Sequence, residues 1–224
     1  MKTIISLCDL TGNMVQPWVD AGYSALLVDP QHGTTSTETL PNGATITRFA
    51  GTVEDAMPLI AALIAAGKVA FVFGWPPCTD MAVSGAVWFK KKYAKDPLFQ
   101  AKAVMVAEQC RTIGRLSGAP WTVENPVSVL ASAFGKPDYY FHPWQYTAYE
   151  PADNYTKKTS LWAGGGFVMP KPALDAEVLL TPPDDRIHKA PPGPERANFR
   201  SATPMGFARA VFAANHRPAL VAAA

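Results

Sequence analysis

Short apolar runs alternate with helix-length segments through the first half of the chain, and this alternation constrains the fold more than any other feature. Thr3–Cys8 ends at Asp9, Ser24–Val28 ends at Asp29, and Val69–Phe73 runs directly into Gly74-Trp75-Pro76-Pro77-Cys78. Ala44–Thr47 is a further short strand, and Trp121–Glu124 a later one that stops at Asn125-Pro126. Between the strands, Met14–Ala21 is stopped by Gly22, and Val53–Ala66 carries Glu54 and Asp55 at its start and Gly67 past its end. Acids at the first turn and glycine after the last are helix boundaries, so both segments are predicted helices, as is the longer Pro97–Ser117. An unbroken apolar run such as Val69–Phe73 suits a strand covered on both faces. The pattern predicts an α/β fold with a doubly wound, mostly parallel sheet. In such a sheet the ligand lies beyond the carboxyl ends of the strands, near the switch in strand order. Asp9, Asp29 and the Gly74–Cys78 segment all fall at such ends.

At 224 residues the chain is long enough for one α/β domain with its own core, read here as 1–224. A hydrophobic fraction of 48% excludes a largely disordered chain. No apolar run approaches the ~20 residues of a membrane span, and the opening residues lack a signal-peptide cleavage pattern. Cys8, Cys78 and Cys110 are odd in number and widely spaced, which makes no disulfide framework and fits a reducing, cytoplasmic setting. The four histidines are scattered and no two have metal-ligand spacing, so no metal is expected. A net charge of +2 is not the strongly basic balance that announces a nucleic-acid partner. Beyond Ala133 the pattern loosens into an aromatic stretch, Tyr139–Tyr149, which reads as core, with stacking of an unpaired base as the alternative. Thr159–Ala163 is a short strand, residues 170–194 are Pro-rich and irregular, and Thr203–Asn215 is a closing helix with Pro204 in its first turn. The His32–Gly43 segment, rich in Thr, Ser, Asn and Gly, reads as a loop.

Chemistry concentrates at two strand ends. Pro76 and Pro77 fix the backbone and present Cys78 rigidly over the expected crevice, which favours a nucleophile over the incidental thiol that Cys8 and Cys110 represent. Glu124 arrives at another strand end. Read alone it equally suits a capping Glu-Asn-Pro, but a carboxyl beside a nucleophilic cysteine can stay protonated and donate a hydrogen bond. Lys90, Lys91, Lys92 and Lys95 follow the cysteine loop, either as a solvated face or as phosphate contacts.

These residues resemble the cytosine-C5 methyltransferase family across roughly residues 3–163. Asp9-Leu10-Thr11-Gly12-Asn13 is similar to that family's opening Asp-Leu-Phe and glycine turn. Pro76-Pro77-Cys78-Thr79 with Ala82-Val83-Ser84-Gly85 is similar to its catalytic loop, and Glu124-Asn125-Pro126 to its Glu-Asn-Val. Lys157-Lys158-Thr159-Ser160-Leu161-Trp162 is a weaker match to its basic strand, and Arg200–Ala208 to its closing helix, where Thr203 equally suits a plain helix cap.

The resemblance implies a Rossmann-like, class I S-adenosylmethionine-dependent methyltransferase. Cys78 would add to C6 of cytosine, Glu124 would donate to N3, Asn125 would orient the loop or the base, and Lys158 would take the place of an arginine that holds the base or its phosphate. Ser84, Lys90, Lys91 and Lys92 would contact substrate DNA. S-adenosylmethionine would lie against Asp9, Thr11, Gly12, Asn13 and Pro76, with Asp29 on its ribose (a turn acid before Pro30 being the other reading) and Thr52 near the adenine, where the family has an acid. Relatives that read duplex DNA carry a separate recognition domain, whereas here 164–199 is a Pro/Gly-rich loop too small for one. That leaves duplex DNA read with little sequence preference, single-stranded DNA, a cytosine nucleotide, or recognition through a protein partner. A non-catalytic regulator or decoy is the alternative of another class. The compact architecture resembles phage-encoded methylase-like proteins, which would act in a bacterial host's cytoplasm.

Overall fold

The structure is a computed structural model that describes residues 1–193 and 195–216; the end of the expected 1–224 domain and Pro194 in the 164–199 segment lie outside it. Eight strands form one mixed sheet: β1 (Thr3–Leu7), β2 (Ser24–Val28), β3 (Ser36–Thr39), β4 (Thr45–Phe49), β5 (Val69–Gly74), β6 (Trp121–Pro126), β7 (Tyr139–Phe141) and β8 (Thr159–Gly164). Their order is β3-β4-β2-β1-β5-β6-β8-β7. The inner pairings β4-β2, β2-β1, β1-β5 and β5-β6 are parallel, while β3-β4, β6-β8 and β8-β7 are antiparallel. The chain moves outward from β1 through β2 to β4, then returns to β1's other side with β5 and continues to β6. The order therefore reverses between β1 and β5, in a Rossmann-like, doubly wound arrangement.

The helices are α1 (Gln16–Asp20), α2 (Met57–Ala65), α3 (Phe89–Lys95), α4 (Phe99–Leu116), α5 (Leu130–Phe134), α6 (Arg186–Lys189), α7 (Arg196–Ser201) and α8 (Met205–Asn215). Two apolar layers sandwich the sheet. On one face, Ile60 of α2 and Ala107, Cys110 and Ile113 of α4 pack with Ile5, Leu7, Val72 and Val123. On the other, Trp18 and Val19 of α1 and Phe207, Ala210 and Val211 of α8 pack with Ile4, Phe71, Phe73 and Leu161. The central strands supply side chains to both layers, which is why they read as unbroken apolar runs. None of the described helices is long and apolar enough to cross a membrane, and no group of three or more His, Cys, Asp or Glu among the described residues is placed to hold a metal.

Among the departures from the expected elements, one boundary and one additional strand have clear physical reasons. α2 begins at Met57 rather than Val53, because Pro58 belongs in a first turn: it has no N–H and clashes with a helical carbonyl four residues back. The expected loop 32–43 contains β3, an edge strand exposed along its whole length that forms a hairpin with β4 through Pro41-Asn42-Gly43. With no buried face, β3 carries no apolar alternation. The turn triplet was its one sequence signal.

Candidate active site

Past β1, Cys8 takes a positive φ of 57° and turns the chain so that Asp9 points back under the following loop. Asp9 is buried; its Oδ1 accepts from the amides of Thr11 (3.0 Å) and Gly12 (2.8 Å), and its Oδ2 from the Ser6 hydroxyl (2.7 Å). The Trp75 indole donates to the same Ser6 oxygen at 3.0 Å. An unbroken relay thus runs from β5's exit, across β1, into the glycine turn. Asp9 shapes this turn from beneath, while Thr11 is exposed on its surface. Gly12 has φ +73°, and a Cβ there would sit 3.1 Å from Leu27 Cδ1, so the turn lies directly on β2. Asn13 Nδ2 donates to the Thr203 carbonyl at 3.0 Å, tying the turn to the segment just before α8.

The Pro-Pro-Cys loop is held from several sides. Asn125, fully buried, donates from Nδ2 to the Pro76 carbonyl at 3.1 Å, and its Oδ1 has no partner. The Cys78 carbonyl accepts from the Met81 and Ala82 amides, and the loop zips onto the chain beyond β6 through Val83 N to Val127 O and Val129 N to Met81 O, each 3.0 Å. Lys92 donates from Nζ to the Thr79 carbonyl at 2.8 Å and to Asp80 Oδ1 at 2.6 Å. Its charge is paired with Asp80, and it staples the cysteine loop.

Glu124 lies on β6 at the site, 9% exposed, with Lys157 Nζ 3.9 Å from its Oε1. Burial pushes the Glu124 carboxyl up, against the lowering pull of Lys157 and of the Thr159 hydroxyl. Burial also pushes the half-buried Cys78 thiol up, and the Glu124 charge adds to this, while Lys157 and Arg200 act in the opposite sense. These four side chains therefore share one electrostatic environment at the switch in strand order. Lys158, the lysine expected here, is elsewhere: it is exposed, with Nζ 4.9 Å from the centre of the Tyr140 ring. Of the two adjacent lysines that lead into β8, the one that reaches Glu124 is Lys157.

The chain matches no protein-family model and no curated protein.

Asp29, at the end of β2, is buried and accepts the Gln31 amide on Oδ1 at 2.8 Å, leaving Oδ2 without a hydrogen bond. Thr52 is exposed; its N and Oγ1 both donate to Asp55 Oδ2, at 2.9 and 2.6 Å, and its carbonyl accepts from Ala56. Thr52 thus takes part in a local turn leading into α2. Ser84, Lys90 and Lys91 are exposed on the surface after the cysteine loop, Lys91 Nζ lying 5.9 Å from the Trp88 ring centre. Ser6, Trp75, Lys157 and Arg200 are the site residues that motif spacing missed. A cavity of about 460 Å³ is lined by residues that include Tyr139, Tyr140, Tyr146 and Pro170, and by neither Cys78 nor Glu124.

Proposed function

We propose that the chain transfers a methyl group from S-adenosylmethionine to C5 of cytosine in DNA, as a compact member of the cytosine-C5 methyltransferase family. The observation that carries this reading is that Cys78, just past β5, and the buried Glu124 of neighbouring β6 act on each other electrostatically, with burial pushing the Glu124 carboxyl up. The residues at the ends of β1 and β2 fit the cofactor. Gly12 keeps the turn free of a side chain against β2, and Asp29 offers an unpaired carboxylate oxygen for ribose hydroxyls. When bound, S-adenosylmethionine supplies the electrophilic methyl group.

The protein's own residues do the rest. Cys78, once its thiol proton has passed to solvent, forms a bond from Sγ to C6, and the electron pair of the C5–C6 double bond makes C5 nucleophilic. Protonated Glu124 donates to N3, where negative charge develops. After C5 is methylated, the C5 proton leaves to a base, the double bond reforms and the Sγ–C6 bond breaks. Lys157 limits the rise of both the thiol and the carboxyl, and Asn125 holds the loop that carries Cys78. Contact with DNA falls to α3, where Lys90, Lys91 and Lys95 stand with exposed Trp88 and Tyr93. Cations interleaved with aromatic faces suit a nucleic-acid strand. A free thiol nucleophile suits a reducing compartment such as the cytoplasm.

The test is a labelled-methyl assay on duplex DNA, single-stranded DNA and deoxycytidine nucleotides, run with the parent chain and with Cys78→Ala. Cys78→Ala should lower methyl transfer by at least about 10³-fold while leaving S-adenosylmethionine affinity within about twofold. Label reaching cytosine at the parental rate in Cys78→Ala would remove the covalent route, and no label with any substrate would favour a non-catalytic regulator.

A further inference from the structure

Arg200, near the end of α7, is a cation without a counter-charge. Its Nε is buried with no hydrogen-bond partner, and the guanidinium forms no ion pair with any described residue. Leaving a guanidinium half-buried and unpaired is costly, and such groups are retained where an anion completes them. The segment that carries Arg200 is pinned over the site at two points. Lys157 Nζ reaches the Ala202 carbonyl at 3.5 Å, and Asn13 holds the Thr203 carbonyl. Arg200 therefore enters from α7, at the end of the 164–199 stretch and just before the closing helix, and it belongs to neither the cysteine loop nor the Glu-Asn strand.

The position of Arg200 within the site narrows the anion. Lys157 and Arg200 both act on Cys78, whereas of these two cations only Lys157 acts on Glu124. In a pyrimidine nucleotide with the base anti, C6 is the ring atom on the side of the 5′-phosphate, and N3 points away from it. A cation on the Cys78 side thus faces the 5′-phosphate when Cys78 faces C6 and Glu124 faces N3. We propose that Arg200 anchors the 5′-phosphate of the target pyrimidine nucleotide, where its planar fork matches two phosphate oxygens. The proposal rests on the reading of Cys78 and Glu124 given above. A terminal monophosphate and a strand's phosphodiester present the same chemistry to Arg200.

Calorimetric titration of the full chain, without cofactor, tests this. The parent should bind deoxycytidine 5′-monophosphate about 10- to 100-fold more tightly than deoxycytidine, as expected for a charge-assisted contact. The 3′-monophosphate should show no such gain, and Arg200→Gln should bring the 5′-monophosphate down to the nucleoside's level. A second arm alters the ligand instead of the protein. In a single-stranded oligonucleotide with one cytosine, a neutral methylphosphonate at the linkage 5′ to that cytosine should weaken parental binding by the factor that Arg200→Gln costs. The two changes together should cost no more than either alone. A strand effect without a monophosphate effect assigns the subsite to the phosphodiester, and the reverse assigns it to the free nucleotide. Equal binding of nucleoside and 5′-monophosphate with a silent methylphosphonate, or an Arg200→Gln loss shared equally by the nucleoside, would overturn the proposal. No binding of any cytosine compound would instead overturn the reading on which it rests.

Discussion

At Glu124, burial and Lys157 pull the same proton in opposite directions, and burial wins. A carboxyl whose value is raised on folding binds its proton more tightly in the folded state. The stabilisation is complete below the ordinary glutamate value of about 4.3 and is lost as pH rises through the raised folded value. Glu124→Gln cannot ionise and escapes that loss. Its thermal midpoint should exceed the parent's at about pH 8, with the gap closing toward pH 5; a gap that does not change with pH would contradict the raised carboxyl. The same variant should lower methyl transfer by about 10²- to 10⁴-fold, the usual worth of a positioned acid. Cys78 and Glu124 were legible because each stands in a rigid dipeptide context at the end of an apolar run. Lys157 was not, since choosing between it and Lys158 requires the path by which the chain enters β8. Nor was Arg200, whose place depends on how the chain folds back after β8.

The end of β5 is where an element and the site depend most directly on each other. Gly74 closes the strand against α4, and a Cβ there would stand 2.7 Å from Cys110 Cβ and 3.2 Å from its Sγ. A Cβ contact cannot be relieved by rotating a side chain, so the helix or the strand must move. Gly74→Ala should therefore cost about 1–3 kcal/mol in denaturant unfolding, and Cys110→Ala, which leaves Cβ in place, should not restore it. Parental stability in Gly74→Ala would show that α4 packs less closely than described. The central parallel strands, α4 and α8 were readable from apolar run length, glycine stops and Pro204. β3 was not, because an edge strand exposed throughout has no hydrophobic signature, and β7 was hidden in an aromatic stretch that reads as undifferentiated core.

For the molecule as a whole, the two apolar layers and the eight-stranded sheet use most of the described chain, and the interval after β8 adds only short helices, among them α6 and α7. The sheet places the Asp9 turn, Asp29, the cysteine loop and Glu124 along one edge, and the segment before α8 closes over them through Asn13, Lys157 and Arg200. A net charge of +2 gives no broad basic face, so the proposed DNA contact is assigned to α3 and Arg200 alone. The doubly wound topology followed from strand–helix alternation alone; the closing segment did not, because its Pro-rich sequence has no periodicity to read. The proposed chemistry turns on a bond between Cys78 and C6. DNA carrying 5-fluorocytosine measures it most directly, since fluorine at C5 cannot leave as the proton does and the adduct persists. Incubated with S-adenosylmethionine and mapped by peptide mass spectrometry, the chain should carry the nucleotide on Cys78 alone and none in Cys78→Ala. Unmodified Cys78 beside methylated cytosine in the matched unfluorinated DNA would contradict the covalent mechanism.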